Sequence, residues 1–273
     1  MNEAPEKFKV RLTGAEATLL VTLYAKALDN HSPYSLLHDA KAEEIVDAIE
    51  IDPAVFKGLR ADDLIVVRAR HYDEWVRDFL AKNGDAVVVY LGAGLDTRIT
   101  RIDPPSTVSW FDVDFPSVIQ LRRNFYADQA GYAMIASSVT DPGWLRLIPV
   151  NRPTMIIAEG CLPYLTREEV KQLLNRLTDH FSHGQLALDV VNSVAVAYAR
   201  RQLAETMGTA HRWTVDEIEE VDCLDANLKR VAMTPVCTSP FAKELPLGTR
   251  AFFGFISLFP PYRDTMRLAL YEF

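Results

Sequence analysis

The chain has 273 residues, 49% of them hydrophobic, which is enough to bury a substantial core within a single domain. A formal net charge of −8 and a pI near 5.3 disfavour nucleic-acid and anionic-membrane partners, because both select for basic surfaces. The N-terminus lacks the apolar segment of a signal peptide, and no apolar run is long enough to span a membrane. Cys161, Cys223 and Cys237 have no Cys-x-x-Cys spacing, so we expect free thiols in a cytoplasmic protein rather than disulfides or a zinc site.

The N-terminal part of the chain predicts three helices. Apolar residues recur at helical spacing over residues 17–28, 40–49 and 64–80, and Thr13 can cap the first of these helices. Lys26 lies toward the end of the first helix, where it either faces solvent or contacts a ligand. The sequence leaves both interpretations open.

The stretch after the third helix predicts a strand that ends in a glycine turn. Residues 87–91 are five consecutive apolar residues, as in a strand buried on both faces of a parallel sheet. Gly92 and Gly94 then allow a sharp turn close to a ligand, and Asp96 or Thr97 can cap a following helix. Strand, glycine turn and helix form a nucleotide-binding unit, although Gly-Ala-Gly also occurs in ordinary loops. Thr97 stands where a dinucleotide site requires a third glycine, which favours S-adenosylmethionine over NAD.

A second strand is predicted over residues 108–115, about twenty residues after the glycine turn, where an acid that binds a ribose is expected. Asp112 and Asp114 lie near its carboxyl end and share one face, because side chains alternate along a strand. One acid at this position can accept both ribose hydroxyls. Pro116 ends the strand and begins a helix, and we expect at least one of the two acids to cap that helix.

The remaining elements alternate between strands and helices, which predicts an α/β fold. Strands are predicted over residues 132–138, 152–159 and 185–191, and Glu159 closes the second of these at the edge where parallel sheets bind ligands. Thr166 and Glu169 form a capping box for a helix, at whose end His180 and His183 are a terminus rather than a metal site. We expect Trp144 in the core, a helix over 194–207, a solvated acidic helix over 216–220, and late strands over 229–233, 252–259 and, as a last edge, 267–273.

Three blocks of the sequence resemble the signatures of the leucine carboxyl methyltransferase family. They are Leu-Gly-Ala-Gly-Leu-Asp-Thr-Arg at 91–98, Asp-Val-Asp-Phe-Pro-Ser-Val-Ile at 112–119 and Ala-Glu-Gly-Cys-Leu-Pro-Tyr-Leu-Thr at 158–166. The family also contains bacterial O-methyltransferases similar to the tetracenomycin polyketide methylase, and the resemblance runs from about residue 12 to the C-terminus. It implies a Rossmann-like class I methyltransferase in one domain, with an N-terminal helical lid (1–80) and a mostly parallel, helix-flanked cofactor-binding core that ends in an antiparallel hairpin (81–273).

The resemblance also implies how S-adenosylmethionine is held. Lys26 reaches the methionine carboxylate, and one of Arg68 and Arg70 holds the amino-acid end while the other pairs with a nearby acid. Ser138 occupies a position where many members have aspartate, so adenine has a weaker acceptor there. Tyr164 is the residue expected to touch the methyl acceptor. The full set of implied cofactor-binding residues is Lys26, Arg68, Arg70, Gly92, Gly94, Asp114, Ser138, Val139 and Glu159.

The acceptor is expected to be a small-molecule carboxylate or an ionised hydroxyl. No His–Asp or lysine dyad stands out near the implied pocket, and a carboxylate needs no general base at neutral pH. Three alternatives remain at this stage: methylation of a protein C-terminal carboxylate, an NAD-linked oxidoreductase, which Thr97 disfavours, and a cofactor-binding protein without catalysis, which the departure at Ser138 leaves open. The oligomeric state is not predicted.

Overall fold

A seven-stranded sheet forms the centre of the protein. The computed structural model describes residues 7–10, 12–50, 62–207 and 209–273. Two short parallel strands, β1 (Phe8–Lys9) and β2 (Ile49–Glu50), lie outside the main sheet. The main sheet contains β3 (Val87–Leu91), β4 (Ser109–Asp114), β5 (Tyr132–Ala136), β6 (Thr154–Ala158), β7 (Gly184–Val191), β8 (Lys229–Pro235) and β9 (Met266–Glu272).

The strand order of the main sheet is β5-β4-β3-β6-β7-β9-β8. The first five strands are parallel, with Val87 opposite Ser109 on one side and Thr154 on the other. The last pair is antiparallel, as expected, since β9 runs opposite to both β7 and β8. The chain reverses its direction of winding between β3 and β6, and such a switch point leaves a crevice at the carboxyl ends of the strands.

Helices cover both faces of the sheet. The α-helices are α1 (Leu19–Asp29), α2 (Ala40–Ala48), α3 (Asp62–Lys82), α4 (Arg98–Ile102), α5 (Pro116–Arg122), α6 (Arg167–His180), α7 (Ser193–Met207), α8 (Glu219–Asp222), α9 (Leu247–Ile256) and α10 (Pro260–Arg263), and 3-10 helices lie at Gly14–Thr18, Pro142–Leu147, Leu162–Tyr164, Val236–Thr238 and Pro240–Glu244.

Two cores lie on opposite faces of β3, because its side chains alternate. Val88 and Tyr90 pack with α3 in one core, whereas Val87, Val89 and Leu91 pack with α6 in the other. Strand β3 is therefore buried on both faces, as its apolar run predicts, and the Rossmann-like architecture is confirmed.

The N-terminal helices pack beside the glycine turn. Leu19, Leu20 and Leu23 of α1 form a third core with Ile45 of α2 and with Leu95, which follows the turn. This packing places α1 and the 3-10 helix before it along the carboxyl edge of the sheet. A lid function for residues 1–80 stays a prediction, and residues 1–6, 11 and 51–61 lie outside the described part of the chain.

Several late elements test the sequence predictions. Trp144 is buried in the core, as expected, whereas the strand predicted over 252–259 is wrong, because α9 covers Leu247–Ile256. A short apolar run does not distinguish a strand from a helix, and here it exposes Phe252 and Phe255 on the helix surface. The expected last edge is also misplaced, since β9 lies between β7 and β8.

Two further findings concern features that the described residues lack. No helix within 7–10, 12–50, 62–207 and 209–273 combines the length and apolarity that crossing a membrane requires. The same part of the chain contains no cluster of three or more potential metal ligands.

Candidate active site

A crevice opens at the carboxyl ends of β3, β4 and β6, beside α1. It holds about 1110 Å³ of empty space when its open mouth is included. Nine of the ten residues that the sequence analysis assigns to the site line this crevice: Lys26, Arg68, Gly92, Gly94, Asp114, Ser138, Val139, Glu159 and Tyr164. The structure therefore brings together residues from six separate segments of the chain, and only Arg70 of the ten lies elsewhere.

The glycine turn has a backbone that other residues rarely adopt. Gly92 has φ +65° and Gly94 has φ +54°, both in the left-handed region. A Cβ atom at Gly92 would lie 3.1 Å from the sulfur of Cys161, and one at Gly94 would lie 3.1 Å from the Cβ atom of Leu19. The absence of a side chain at Gly92 and Gly94 therefore allows both the left-handed turn and the close approach of Cys161 and Leu19.

Asp114 lies at the tip of β4 and faces the glycine turn. Its Oδ2 atom accepts the N–H of Gly94 at 2.7 Å, and its Oδ1 atom accepts the N–H of Phe115 at 2.7 Å. Burial raises the pKa of Asp114 to about 6, although both backbone hydrogen bonds oppose that shift. The carboxyl group is thus fixed beside the glycine turn.

Asp112 is separated from the crevice, although it shares a strand face with Asp114. It lies 2.6 Å from the guanidinium of Arg122 and accepts hydrogen bonds from Tyr132 Oη at 2.7 Å and Trp110 Nε1 at 2.9 Å. The expectation that one of the two acids caps the next helix is wrong, since α5 begins without a side-chain cap. The carboxylate of Asp112 pairs with Arg122, whereas that of Asp114 accepts the N–H groups of Gly94 and Phe115.

Glu159 lies at the centre of a buried ionic network. Its Oε1 atom is 3.2 Å from Arg68 Nε and 3.7 Å from Lys26 Nζ, and its Oε2 atom is 2.5 Å from Arg98 Nη2. Burial by itself would raise the pKa of Glu159, but the three cations outweigh it and hold the pKa at about 2. Glu159 is therefore a carboxylate at any physiological pH.

Lys26 is buried, so the interpretation of a solvated helix face is wrong. Its side chain is 2% exposed and pairs with both Asp96 and Glu159. Asp96 also accepts a hydrogen bond from Tyr90 Oη at 3.0 Å and lies 3.3 Å from Arg101. Burial raises the pKa of Asp96, but the surrounding cations hold it well below its usual range. Asp96 also accepts the N–H of Arg98, the first residue of α4, from the position before the N-cap Thr97, which itself provides no side-chain cap.

The two arginines of α3 point to different places. Arg68 enters the crevice, where its Nη1 atom lies 3.4 Å from Asp189 in addition to the contact with Glu159. Arg70 instead pairs with Glu74 at 2.8 Å, and its guanidinium stacks 4.3 Å from the ring centre of Phe241. Arg68 is thus the member of the pair that could reach a cofactor, and Arg70 is the one that pairs with a nearby acid.

Residues that the sequence analysis did not assign to the site complete the network. Arg98 is fully buried and donates to Asp73 at 2.7 Å, and Asp189 accepts the N–H of Gly160 at 2.6 Å and the hydroxyl of Tyr72 at 3.2 Å. The available signal was a charged residue within an apolar segment, as Asp189 is in β7. The network joins five carboxylates to four cations, a formal excess of one negative charge: Asp39, Asp73, Asp96, Glu159 and Asp189 with Lys26, Arg68, Arg98 and Arg101.

The other two sides of the crevice are formed by uncharged residues around Ser138 and by the surroundings of Tyr164. Ser138 lies 2.8 Å from the hydroxyl of Thr140, and Val139 beside it is buried. On the remaining side Tyr164 ends a 3-10 helix, and its ring centre is 5.2 Å from that of His211. Burial raises the pKa of Tyr164, although a hydrogen bond with Thr18 opposes the shift, so its hydroxyl stays neutral.

Known proteins resemble this chain over nearly its whole length. The model of the leucine carboxyl methyltransferase family matches residues 18–134. The tetracenomycin polyketide synthesis O-methyltransferase TcmP of Streptomyces glaucescens is 39% identical over 97% of this chain and 98% of its own. The chain belongs to the leucine carboxyl methyltransferase family. This membership confirms the predicted enzyme class, an S-adenosylmethionine-dependent O-methyltransferase, and the predicted cofactor.

A second relative supports this assignment, and a solved structure shares the fold. The S-adenosyl-L-methionine-dependent methyltransferase dpfgK of Gibberella zeae is 34% identical over 82% of this chain and 83% of its own. The plantazolicin methyltransferase BamL, solved with S-adenosylhomocysteine, covers 94% of this chain and 98% of its own at a TM-score of 0.51. Since only 9% of those aligned residues are identical, the likeness to BamL concerns the fold alone.

Proposed function

We propose that the crevice binds S-adenosylmethionine along the carboxyl edge of the sheet and that the protein transfers its methyl group to the carboxylate of a small-molecule acceptor. The charge of the ionic network supports this position for the donor. The network carries one more carboxylate than cations, and a sulfonium donor has a positive centre that such an excess attracts. Lys26 and Arg68 supply positive charge for the donor's carboxylate, and Glu159 supplies negative charge for its ammonium group.

The rest of the donor then follows the carboxyl edge of the sheet. Asp114 accepts the ribose hydroxyls, because its carboxylate is fixed beside the glycine turn. Gly92 and Gly94 allow the backbone to approach the donor closely. Ser138 and the backbone of Val139 lie at the uncharged side of the crevice, where they receive the adenine ring.

A single observation supports a carboxylate acceptor: every carboxylate that lines the crevice in the described residues already accepts a hydrogen bond or faces a cation. These carboxylates are Glu16, Asp96, Asp114, Glu159 and Glu169. A hydroxyl acceptor requires a general base to remove its proton, whereas a carboxylate is ionised at neutral pH. Glu159, with a pKa of about 2, is far too weak a base for that task.

The protein's part in the reaction is positioning. S-adenosylmethionine supplies, when bound, a methyl group that is already electrophilic. The ionic network would hold the amino-acid end of the donor and Asp114 its ribose, in the same crevice that Tyr164 lines. The neutral hydroxyl of Tyr164 can donate a hydrogen bond to one oxygen of the acceptor carboxylate and leave the other oxygen free to react. Holding both partners in line and excluding water accounts for most of the acceleration such a reaction needs.

We propose a small-molecule acid as the acceptor class. The name of TcmP refers to polyketide synthesis, and that protein matches 97% of this chain at 39% identity. This relationship favours a small-molecule acceptor over the C-terminus of a protein.

The proposal is tested with labelled S-adenosylmethionine and three acceptors, 2-naphthoic acid, 2-naphthol and a peptide that ends in leucine. We expect a labelled methyl ester of 2-naphthoic acid, which mild alkali hydrolyses to labelled methanol, and no labelled 2-naphthol. An alkali-stable methyl ether of 2-naphthol as the sole product would contradict a carboxylate acceptor. A labelled peptide ester alone would contradict a small-molecule acceptor.

A second candidate function is methylation of a hydroxyl, and one observation favours it. The Nδ1 atom of His211 is buried and has no hydrogen-bond partner in the described part of the chain, and its ring lies against Tyr164. Burial lowers the pKa of His211, so its imidazole is neutral and able to accept a proton. If His211 is that base, the His211→Asn variant loses methylation of 2-naphthol while its affinity for S-adenosylhomocysteine stays unchanged.

A further inference from the structure

The cations that line the crevice differ in how tightly they are held. They are Lys26, Arg68 and Arg212. Lys26 and Arg68 are at most 6% exposed in their side chains, and each faces two buried carboxylates. The Arg212 side chain is 53% exposed, and within the described residues it pairs only with Glu169, at 3.1 Å, which is itself 36% exposed. Arg212 is therefore the cation of the crevice that an incoming anion can most easily reach.

The backbone fixes Arg212 beside Tyr164. The N–H groups of Arg212 and Trp213 both donate to the carbonyl oxygen of Pro163, at 2.8 and 3.3 Å. Trp213 is buried in the core, so this segment is anchored from the inside. Only the outer part of the Arg212 side chain is free to change partner. It lies in the same crevice as Tyr164, the residue proposed to touch the acceptor.

The pair of Arg212 with Glu169 is weak enough to exchange. Exposed ion pairs contribute little to stability, because water screens them and both side chains lose freedom. An arginine fork can bind a carboxylate through two parallel hydrogen bonds, whereas Glu169 accepts one, from Arg212 Nη1 at 3.1 Å, so a ligand carboxylate can make the stronger contact. Elsewhere in the crevice acidic residues outnumber basic ones, and Lys26 and Arg68 are each paired with two buried carboxylates, so Arg212 is the most favourable position for the carboxylate of an acceptor.

We propose that Arg212 recognises the carboxylate of the acceptor and that Glu169 occupies the guanidinium when no acceptor is bound. This inference rests on the proposed function, since it needs an anionic acceptor. In the reaction one carboxylate oxygen forms a bond to the methyl carbon, the bond from methyl to sulfur breaks, and its electron pair stays on the sulfur. The product ester has no charge, so Arg212 no longer attracts it and Glu169 regains its partner. Arg212 thereby distinguishes the acceptor from the product.

The test compares Arg212→Gln with Arg167→Gln, using 2-naphthoate as the acceptor. Arg167 is an exposed arginine at the start of α6 that does not line the crevice, so it controls for loss of one positive charge nearby. We expect Arg212→Gln to raise the KM for 2-naphthoate about tenfold, the usual worth of a hydrogen bond to a charged group. The Kd for S-adenosylhomocysteine, measured by calorimetry, stays unchanged in both variants, and Arg167→Gln keeps the KM of the parent protein.

A second variant changes the partner instead of the arginine. Glu169→Gln removes the competing carboxylate, yet glutamine still completes the capping box with Thr166, so α6 keeps its start. We expect this variant to lower the KM for 2-naphthoate about twofold, as the removal of a weak competing ion pair should. Added salt should raise the KM of the parent protein and leave that of Arg212→Gln nearly constant, because only the parent protein uses a charged contact.

Two results overturn the inference in distinguishable ways. If the parent protein esterifies 2-naphthoate and Arg212→Gln does so with the same KM, the role of Arg212 is refuted while the proposed function stands. Two outcomes refute both the carboxylate acceptor and the role of Arg212. In the first, the parent protein methylates only 2-naphthol. In the second, it does not methylate 2-naphthoate, and its S-adenosylhomocysteine complex does not bind 2-naphthoate in calorimetry.

Discussion

Asp114 should make cofactor binding depend on pH between 5 and 7. Burial holds the pKa of its carboxyl at about 6, and only the ionised form offers two acceptor oxygens to a ribose. The ionised fraction falls from about nine-tenths at pH 7 to about one-eleventh at pH 5, so the Kd should rise roughly tenfold over that interval. The free energy of unfolding depends on pH in the opposite direction. A carboxyl whose pKa is raised on folding stabilises the protein below the unfolded pKa, and this contribution is lost as pH rises through 6.

Asp114→Asn removes the titration and keeps the size of the side chain. Its amide oxygen can still accept the N–H of Gly94, so we expect the turn to be kept, although the amide nitrogen cannot accept the N–H of Phe115. Loss of charged hydrogen bonds to the ribose should weaken binding of S-adenosylhomocysteine at pH 7 by about 1.5–3 kcal/mol, which is roughly ten- to hundredfold. Asp85→Asn is the matched control, since Asp85 is an exposed acid that precedes β3 at the opposite edge of the sheet.

Isothermal titration with S-adenosylhomocysteine at pH 5, 6 and 7 measures both effects. The parent protein and Asp85→Asn should lose affinity as pH falls, and Asp114→Asn should bind weakly with a nearly constant Kd. A constant Kd in the parent protein, or full affinity of Asp114→Asn at pH 7, would refute a ribose contact at this residue.

Two further substitutions test the network and the glycine turn. Glu159→Gln leaves buried cations without their shared carboxylate and should lower the free energy of unfolding by about 3–5 kcal/mol in urea titration; a loss below about 1 kcal/mol would contradict a buried network. Gly94→Ala places a Cβ atom 3.1 Å from Leu19 at φ +54° and should cost about 1–2 kcal/mol and weaken S-adenosylhomocysteine binding. Gly84→Ala, whose Cβ atom would meet nothing within 4 Å, is the control, and equal losses in both variants would contradict strain at Gly94.

The parts of the site that depend on local sequence could be predicted. An apolar run followed by two glycines specifies a buried strand and a left-handed turn, and the structure has β3 at Val87–Leu91 with both glycines at positive φ. The capping box of Thr166 and Glu169 is present for the same reason, because its partners lie three residues apart. Asp114 follows from a fixed spacing after the turn.

The parts of the site that depend on tertiary packing could not be predicted from the sequence. Arg68 and Arg70 lie about 200° apart around α3, so only one can enter the crevice, but the sequence does not say which face of the helix is covered. Asp112 and Asp114 share a strand face and still differ in role, because Arg122 of α5 reaches only the first. The aromatic run at 252–259 satisfied a strand pattern, whereas it lies in the connection between β8 and β9 and most of it belongs to the surface helix α9.

A crystal structure of the protein grown with S-adenosylhomocysteine tests the central claim most directly. We expect the ligand along the carboxyl ends of β3, β4 and β6, its ribose hydroxyls within hydrogen-bonding distance of Asp114 and its amino-acid end against Lys26, Arg68 and Glu159. A ligand bound at another surface, or one in the crevice whose ribose makes no contact with Asp114, would contradict it.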